Sequence, residues 1–391
     1  MNMLTEHFRF IDKRMLVLVG ALASMGLIMM GSASIDYAAH KYGAPHFYIG
    51  RQFVFLVLAS IAGVAAFMIP TKQWYRFGWL ALLMAFALLI AVLIPGIGRE
   101  VNGSMRWIPL GPVNLQSSEV AKLFILIYMA GYLVRRQDEV RERWVGFLKP
   151  IAVLMIAIVL LLKEPDFGSA VVIIFACLGM IFLAGLGLPQ LAALVVASLA
   201  SVVLMAVSSS YRMQRLKCFV DPWQESHRFD CGYQLTQSLI AFGRGEWLGL
   251  GLGNSIQKQF FLPEAHTDFV FAIIAEELGF LGSLFTLCLF SALIVRIFRL
   301  AKQVQEQGEL FNSYLASGIG LVFSAQIFIN IGVNIGLLPT KGLTLPFLSY
   351  GGSSLIVSFM MVGILARIQA EVASKGAVSS RQNEKGRRLA T

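Results

Sequence analysis

The segment Leu262–Phe269 (LPEAHTDF) sets ionisable and hydroxyl side chains side by side, immediately before a long apolar run. Placing a carboxylate at such a water–lipid boundary costs free energy, which indicates that this carboxylate has a function. Asp268 is the leading candidate for a general base, with an ordinary helix cap as the alternative. Glu264, His266 and Thr267 are the neighbours from which we expect contact with a ligand.

Further charges occur in or beside other apolar runs. Glu119 and Lys122 are three residues apart, so on a helix they share a face. They form either an ion pair between helices or part of a polar cavity that receives a ligand. Asp166 follows a charged turn, where it could cap the next helix or contact a ligand. The cations that we expect on the same side as Asp268 are Arg106, Lys122, Lys163 and Lys341.

Polar residues also mark the last two apolar runs. Gln326, Asn330 and Asn334 recur every four residues and predict a polar stripe that bonds to another helix. Ser353 belongs to a Ser- and Gly-rich stretch that opens the last helix. Hydroxyls and amides at a helix N-terminus suit an anion, and a plain cap is the alternative.

The whole chain has the composition of a membrane protein. Its 391 residues are 57% hydrophobic and 14% charged, which is too apolar for a soluble domain. About 20 apolar residues cross a bilayer as a helix, and runs without period-two alternation exclude a β-barrel. We predict ten spans: Met15–Ile35, Gln52–Thr71, Phe77–Gly98, Leu115–Val134, Val145–Leu162, two within Phe167–Tyr211, Phe269–Val295, Leu310–Thr340 and Gly342–Ala366.

The net charge of +10 is explained by topology. With ten spans, the basic clusters all fall on one side, so both termini are predicted to be cytoplasmic. Because the basic residues are dispersed, nucleic acid is not an expected partner. We predict one all-α membrane domain over residues 1–391, with an outer loop at 209–267 and a disordered basic tail at 374–391.

The four cysteines show no spacing typical of a metal site. Cys218 and Cys231 share the outer loop, where an oxidising compartment would permit a disulfide. Nothing in the sequence brings them together, so we expect free thiols. Cys177 and Cys288 lie in predicted spans and are expected to pack as small apolar groups.

Five motifs, in order along nearly the whole chain, resemble the SEDS family of cell-wall proteins (shape, elongation, division and sporulation). The motifs are Gly103–Gly111, Ser117–Lys122, Glu164–Gly168, Leu262–Phe269 and Leu345–Ser354. Other segments are more similar to division-type than to elongation-type members. These segments are Gly232–Ser238, Ser255–Lys258, Glu264–Ala265 and Pro339–Gly342.

The resemblance implies a peptidoglycan glycosyltransferase of the cytoplasmic (inner) membrane at the division septum. Its substrate would be lipid II, a disaccharide–pentapeptide on undecaprenyl pyrophosphate, polymerised on the outer side. The implied partners are a class B penicillin-binding transpeptidase of the FtsI type and other divisome membrane proteins, within membrane lipid.

The resemblance also implies roles for residues. Asp268 matches the family's catalytic carboxylate and would act as the base. Arg106, Lys122 and Lys163 would hold the diphosphate, with Glu119 orienting Lys122. A divalent cation such as Mg²⁺ could assist, although no ligand set in the sequence identifies one.

Two other classes of protein compete with the enzyme. A lipid II flippase would also need charges such as Glu119 and Lys122 inside a membrane cavity. A non-catalytic divisome scaffold would need only its surfaces. The outward cluster around Asp268 favours the enzyme, because it lies where translocated lipid II would be found.

Overall fold

The protein is built almost entirely from helices in the computed structural model. The residues that the structure describes are 10–101, 103–111, 113–142, 144–190, 192–196, 200, 210–340 and 342–389. The helices are α1 Lys13–Tyr42, α2 Phe47–Met68, α3 Thr71–Arg76, α4 Gly78–Ala91, α5 Ser117–Arg135, α6 Gln137–Glu142, α7 Trp144–Lys163, α8 Phe167–Leu183, α9 Ser210–Val220, α10 Glu225–Arg228, α11 Tyr233–Gly245, α12 Val270–Glu306, α13 Leu310–Asn334 and α14 Gly352–Leu389.

Within the described residues, six helices are long and apolar enough to cross a membrane: α1, α2, α5, α12, α13 and residues 352–375 of α14. The shorter α4 and α8 are also apolar, and α7 occupies the predicted fifth span. Of the second span predicted within Phe167–Tyr211, residues 188–190 and 192–196 are helical, and 197–199 and 201–209 lie outside the described part. A multi-pass helical membrane protein is therefore confirmed, and the count of ten spans stays a prediction.

The last helix begins at Gly352, within the Ser- and Gly-rich stretch that was predicted to open it. The chain before it is not helical, because Pro346 has no N–H to donate and Phe347 has a φ of 66°. The helix continues to Leu389, although disorder was predicted for 374–391. A helix that is already formed extends at low cost through residues with high helix propensity, such as the Lys, Glu and Arg of this segment.

A small antiparallel sheet covers the outer connection between α4 and α5, which the sequence did not predict. Its strands are β1 Arg99–Val101, β2 Ser104–Leu110 and β3 Val113–Gln116, in the order β1-β2-β3. Gly103 and Gly111 have φ of 74° and 68° where the chain turns between strands. The sheet rigidly presents Arg106, which lies in the middle of β2.

The ends of helices that the charge pattern assigns to the cytoplasm meet one another. Arg296 of α12 is paired with Asp12, which also caps α1. The N–H of Thr71 donates to the carboxylate of Glu371 over 3.1 Å, which joins α3 to α14. Each contact joins two of the ends that the charge pattern assigns to the cytoplasm.

Part of the predicted outer loop enters the bundle beside α12. There α12 is broken at Gly279, whose φ is 67°, about 14 Å along the helix at 1.5 Å per residue. The N–H of Phe280 donates to the carbonyl of Glu246 over 2.9 Å. The N–H of Gly251 donates to the carbonyl of Glu277 over 3.0 Å. The helix α11 and the chain that follows it thus form a re-entrant hairpin.

The expectation of free thiols in the outer loop is wrong for one pair. Cys218 and Cys231 form a disulfide, with Cα atoms 6.0 Å apart. The bond agrees with a loop in an oxidising compartment. No sequence pattern indicates this pairing, because the turn through α10 that returns the chain becomes evident only in the fold. Cys177 is a buried thiol, and Cys288 is a free thiol exposed on α12.

Helices α2 and α14 pack with their backbones in close contact at two glycines. A Cβ atom at Gly363 would lie 2.1 Å from the carbonyl oxygen of Gly63. A Cβ atom at Gly63 would lie 2.9 Å from the carbonyl oxygen of Phe359. Small residues of this kind let membrane helices approach closely, and van der Waals contact then stabilises the pair.

Gly363→Ala should therefore lower the free energy of unfolding by about 1–3 kcal/mol, because α2 and α14 must separate to admit the methyl group. The measurement is SDS-induced unfolding in mixed micelles, followed by circular dichroism. Gly20→Ala is the matched control, since nothing lies within 4 Å of a Cβ at that exposed helical position. Equal stability of the two variants would contradict the proposed close packing.

Candidate active site

The segment before α12 is a closed turn that presents Asp268 at the start of this helix. Glu264 has a φ of 57°, in the left-handed region. Its carbonyl accepts the N–H groups of Thr267 at 3.1 Å and Phe269 at 3.2 Å. The Thr267 hydroxyl also donates to the Glu264 carboxylate over 2.7 Å. The turn fixes the direction in which the Asp268 side chain leaves the backbone.

Two amides of α13 hold the backbone of Asp268. Asn330 and Asn334 donate to its carbonyl oxygen over 2.9 and 3.0 Å. Asn330 also donates to the carbonyl of Leu343 over 2.6 Å, and Asn334 accepts the N–H of Ala272 over 3.1 Å. Two members of the predicted polar stripe, Asn330 and Asn334, thus anchor the first turn of α12. The buried Nε2 atom of the third, Gln326, has no hydrogen-bond partner in the described part of the chain.

The Asp268 carboxyl group is half-buried and close to the backbone of Gly342, where an added Cβ would lie 2.9 Å from Oδ2. Burial raises the pKa of Asp268 to about 7, the charges of Glu264 and Asp166 raise it too, and that of Arg106 lowers it. No hydrogen bond reaches the carboxyl oxygens within the described part of the chain, so the geometry favours a free base over a helix cap.

Arg106 extends from β2 across the turn between α7 and α8. Its guanidinium donates to the carbonyls of Pro165 at 2.7 Å and Glu164 at 3.4 Å, and lies 4.0 Å from the Asp166 carboxylate. The side chain remains 24% exposed. The planar group is therefore held in one orientation while part of it stays available to an anion.

The same turn is tied to the start of α5 by buried hydroxyls. Ser117 donates to Glu164 over 2.9 Å, and Ser118 donates to Asp166 over 2.7 Å. Asp166 also accepts the N–H of Ser169 over 3.1 Å, which confirms that it caps α8. Burial raises the pKa of Glu164 to about 8, so this acid is largely neutral at pH 7.

A short loop after α13 connects Asp268 with the start of α8, beside the turn that orients Arg106. Gly342 contacts the Asp268 carboxyl group, as described above. The next residue, Leu343, packs on Gly168, where an added Cβ would lie 2.8 Å from Leu343 Cγ. The base and the cation are thus assembled from distant parts of the chain.

The other predicted cations lie in different settings. Lys122 donates to Glu119 over 2.8 Å, and both side chains are enclosed, with exposures of 0% and 5%. Lys163 is exposed at the end of α7, and Lys341 lies outside the described residues. Among the described residues, Arg106 is the cation whose charge acts on Asp268.

Ser353 connects the sheet to α14. Its hydroxyl accepts the N–H of Gln116 and donates to the carbonyl of Asn114, both over 2.9 Å. Because the side chain is buried and these two bonds occupy it, the geometry favours the structural alternative over anion binding.

His266 lies in an aromatic cluster that the sequence did not predict. Its ring centroid is 4.9 Å from Tyr48, 5.2 Å from Tyr37 and 6.0 Å from Tyr350. Burial lowers the pKa of His266, so the ring is neutral at pH 7.

No group of three or more His, Cys, Asp or Glu side chains among the described residues could hold a metal ion.

A buried ionic network beneath the turn was also missed. Lys258 donates to Glu277 over 2.9 Å, to Ser32 of α1 over 3.0 Å and to the carbonyl of Gly253 over 2.7 Å. All three donors of its ammonium group are satisfied.

Glu276 fixes the same returning chain of the hairpin. It accepts the N–H groups of Ile256 and Gln257, each over 3.2 Å, and the hydroxyl of Ser255. The π-helical turn Gln257–Phe261 is thereby held just before the site segment. The sequence signal for this network was the adjacent pair Glu276 and Glu277 within an apolar run, because charges within a membrane require partners.

Lys258→Met should lower the free energy of unfolding by about 3–5 kcal/mol, because it leaves the Glu277 carboxylate buried without its cation. Combining it with Glu277→Leu should recover much of the loss, since no unpaired charge remains. Thermal unfolding in detergent measures both. Lys302→Met, at an exposed position, is the control and should show no change; an equal loss in the single and double variants would contradict the ion pair.

Comparison with known proteins gives consistent matches over most of the chain. A family model for FtsW/RodA/SpoVE, described as cell cycle protein, matches residues 13–374. The "Probable peptidoglycan glycosyltransferase FtsW" of Hahella chejuensis is 54% identical over 364 residues, which are 93% of this chain and 90% of the relative. Its counterpart in Pseudomonas fluorescens is 54% identical over 365 residues, 93% of this chain and 89% of the relative.

Solved structures share the fold. One described as "Structural coordination of polymerization and crosslinking by a peptidoglycan synthase complex" matches with a TM-score of 0.77 and 28% identity, covering 93% of this chain and 98% of the other. The rod shape determining protein RodA of Thermus thermophilus matches with a TM-score of 0.66 and 26% identity, covering 92% of this chain and 96% of the other.

Proposed function

This chain belongs to the FtsW/RodA/SpoVE family of cell cycle proteins, and from that premise we propose that it polymerises lipid II into septal glycan strands with Asp268 as the general base. The family membership makes it a multi-pass membrane protein and a peptidoglycan glycosyltransferase. The observation that carries the assignment of the base is the half-buried Asp268 carboxyl group, with a pKa of about 7, near Arg106.

The reaction needs one base and one source of positive charge. The leaving group is a lipid diphosphate, which departs without a proton but develops negative charge that a cation stabilises. The acceptor is a sugar hydroxyl, which must lose a proton as it attacks. An α-linked donor that gives a β-linked strand requires inversion in one displacement. A single carboxylate therefore suffices, unlike the paired carboxylates of glycosidases.

The geometry supplies both groups. The hydroxyl oxygen of the acceptor forms the new bond to C1 of the donor as its proton passes to a carboxyl oxygen of Asp268. The bond from C1 to the diphosphate breaks, and its electron pair leaves with the diphosphate. Arg106 faces this charge, because its guanidinium is oriented by two carbonyls and remains partly exposed. A base with a pKa near the working pH combines enough ionised form with enough basicity.

The remaining predicted residues take supporting roles in this proposal. Lys163, exposed on the outer side, and Lys341 provide further charge for the diphosphate. The enclosed pair of Glu119 and Lys122 stabilises α5, whose first residues hold the turn of Asp166.

We also assign a class B penicillin-binding transpeptidase as the partner and the division septum as the location. The support is the similar fold of a peptidoglycan synthase complex that coordinates polymerization with crosslinking. The FtsW relatives support the division type of the family.

Asp268→Asn should lower kcat for strand synthesis from purified lipid II by about 10²–10⁴, because the amide cannot accept the proton. The assay uses the full chain with its transpeptidase partner and detects polymer on gels. Asp221→Asn, on the same outer loop, is the control and should retain activity.

Near-normal polymer from a well-folded Asp268→Asn variant would remove this residue from the mechanism. A parallel assay of lipid II movement across liposomes separates the enzyme from a flippase. Movement that depends on the protein, without any polymer, would favour the flippase.

Glu264→Gln should move the acidic limb of the kcat/KM profile to lower pH. Removing the negative charge of Glu264 lowers the pKa of Asp268, so the base stays ionised in more acidic solution. The glutamine still offers an oxygen to the Thr267 hydroxyl. Glu225→Gln, in α10, should leave the limb near pH 7. A limb that does not move, or moves to higher pH, would contradict the assigned base.

A further inference from the structure

A cavity of about 370 Å³ opens on the outer side of the protein, next to the site segment. Residues from four separate parts of the outer region line it: Gln214, Asp230, Cys231, Tyr233, Gln234, Pro263 and Thr340. Its volume is at the lower end of the range for small-ligand sites. It can hold part of a peptide, and it is too small for a lipid chain together with a disaccharide.

The cavity lies close to Asp268 through the loop that follows α13. Thr340 lines the cavity, and it is two residues before Gly342, so their Cα atoms are at most about 7.6 Å apart. Gly342 contacts the Asp268 carboxyl group, and Leu343 packs against the turn that orients Arg106. A substrate that reacts at Asp268 with its diphosphate at Arg106 can therefore place another part of the molecule in the cavity.

The polar groups of the described lining residues favour a ligand other than phosphate. Asp230 provides a carboxylate, which repels phosphate and attracts an ammonium group. Gln214 and Gln234 each offer one carbonyl acceptor and two N–H donors, which match the groups of a peptide. The Tyr233 hydroxyl and the Thr340 hydroxyl add donors and acceptors. The wall is thus complementary to a peptide that carries a positive charge.

The wall has covalent and helical support. The disulfide between Cys218 and Cys231 joins the two chain segments that carry Gln214 and Asp230. Gln234 lies in the first turn of α11, whose Ser238 donates to the carbonyl of Asn334 over 2.7 Å. The cavity is therefore anchored to the same end of α13 that holds Asp268.

Resting on the proposed function, we infer that this cavity is the subsite for the stem peptide of lipid II, with Asp230 binding its free ammonium group. Crosslinking joins a peptide amine to a peptide carbonyl, so an uncrosslinked stem carries such a group. The subsite positions the sugar between the peptide and the diphosphate. Asp230 acts on affinity for the substrate, and it takes no part in the proton transfer.

The test compares lipid II with lipid II whose stem-peptide amine is acetylated, using the full chain with its transpeptidase partner blocked by a β-lactam. For the wild type, acetylation should raise KM about two- to fivefold, the range of a solvent-exposed ion pair. Asp230→Asn should raise KM for unmodified lipid II by the same factor, remove the difference between the two substrates and leave kcat unchanged. Asp221→Asn, on the same outer loop but outside the cavity lining, should keep the wild-type ratio.

Several outcomes would overturn the subsite. They are a wild type that does not distinguish the two substrates, an Asp230→Asn variant that still does, and a loss confined to kcat. If the wild type polymerises lipid II and only the Asp230 results fail, the proposed function stands and the subsite alone is wrong. If the wild type makes no glycan strands, both the proposed function and the subsite are wrong.

Discussion

The burial of one carboxyl group just before the first turn of α12 is the constraint on which the rest of the site depends. Removing Asp268 from water raises its pKa to about 7, which suits a base at neutral pH. Such burial is stable only if the surrounding backbone is fixed. Asn330 and Asn334 provide that support by bonding to the Asp268 carbonyl, and the ionic network of Lys258 holds the chain that leads into the turn.

The charged side chains of the site have different roles and lie at different positions. Arg106, on a small sheet, is oriented by the carbonyl of Pro165. Glu264 raises the pKa of Asp268. The carboxylate of Asp230 lies in a separate cavity with neutral polar walls. In the proposed complex, Arg106 binds the diphosphate of the substrate and Asp230 binds its peptide amine.

Local patterns predicted the parts of the fold that obey local rules. Apolar runs of sufficient length located the helices, and the spacing of Asn330 and Asn334 predicted their bonds to another helix. Capping was one of the two roles predicted for Asp166 from its place before an apolar run. The sheet around Arg106 and the re-entrant hairpin escaped prediction, because their hydrogen bonds join segments that carry no periodic signal of their own.

By itself, the sequence determined that the chain is a helical membrane protein. It also showed that Asp268 stands next to an apolar segment, where the energetic cost of a carboxylate indicates a function. Those conclusions follow from hydrophobicity and the cost of charge in lipid, which are properties of each segment alone. Only the tertiary structure decided that Arg106 acts on Asp268, that Lys122 is enclosed with Glu119, and that Cys218 is bonded. These outcomes depend on distances between residues remote in the chain, which packing fixes.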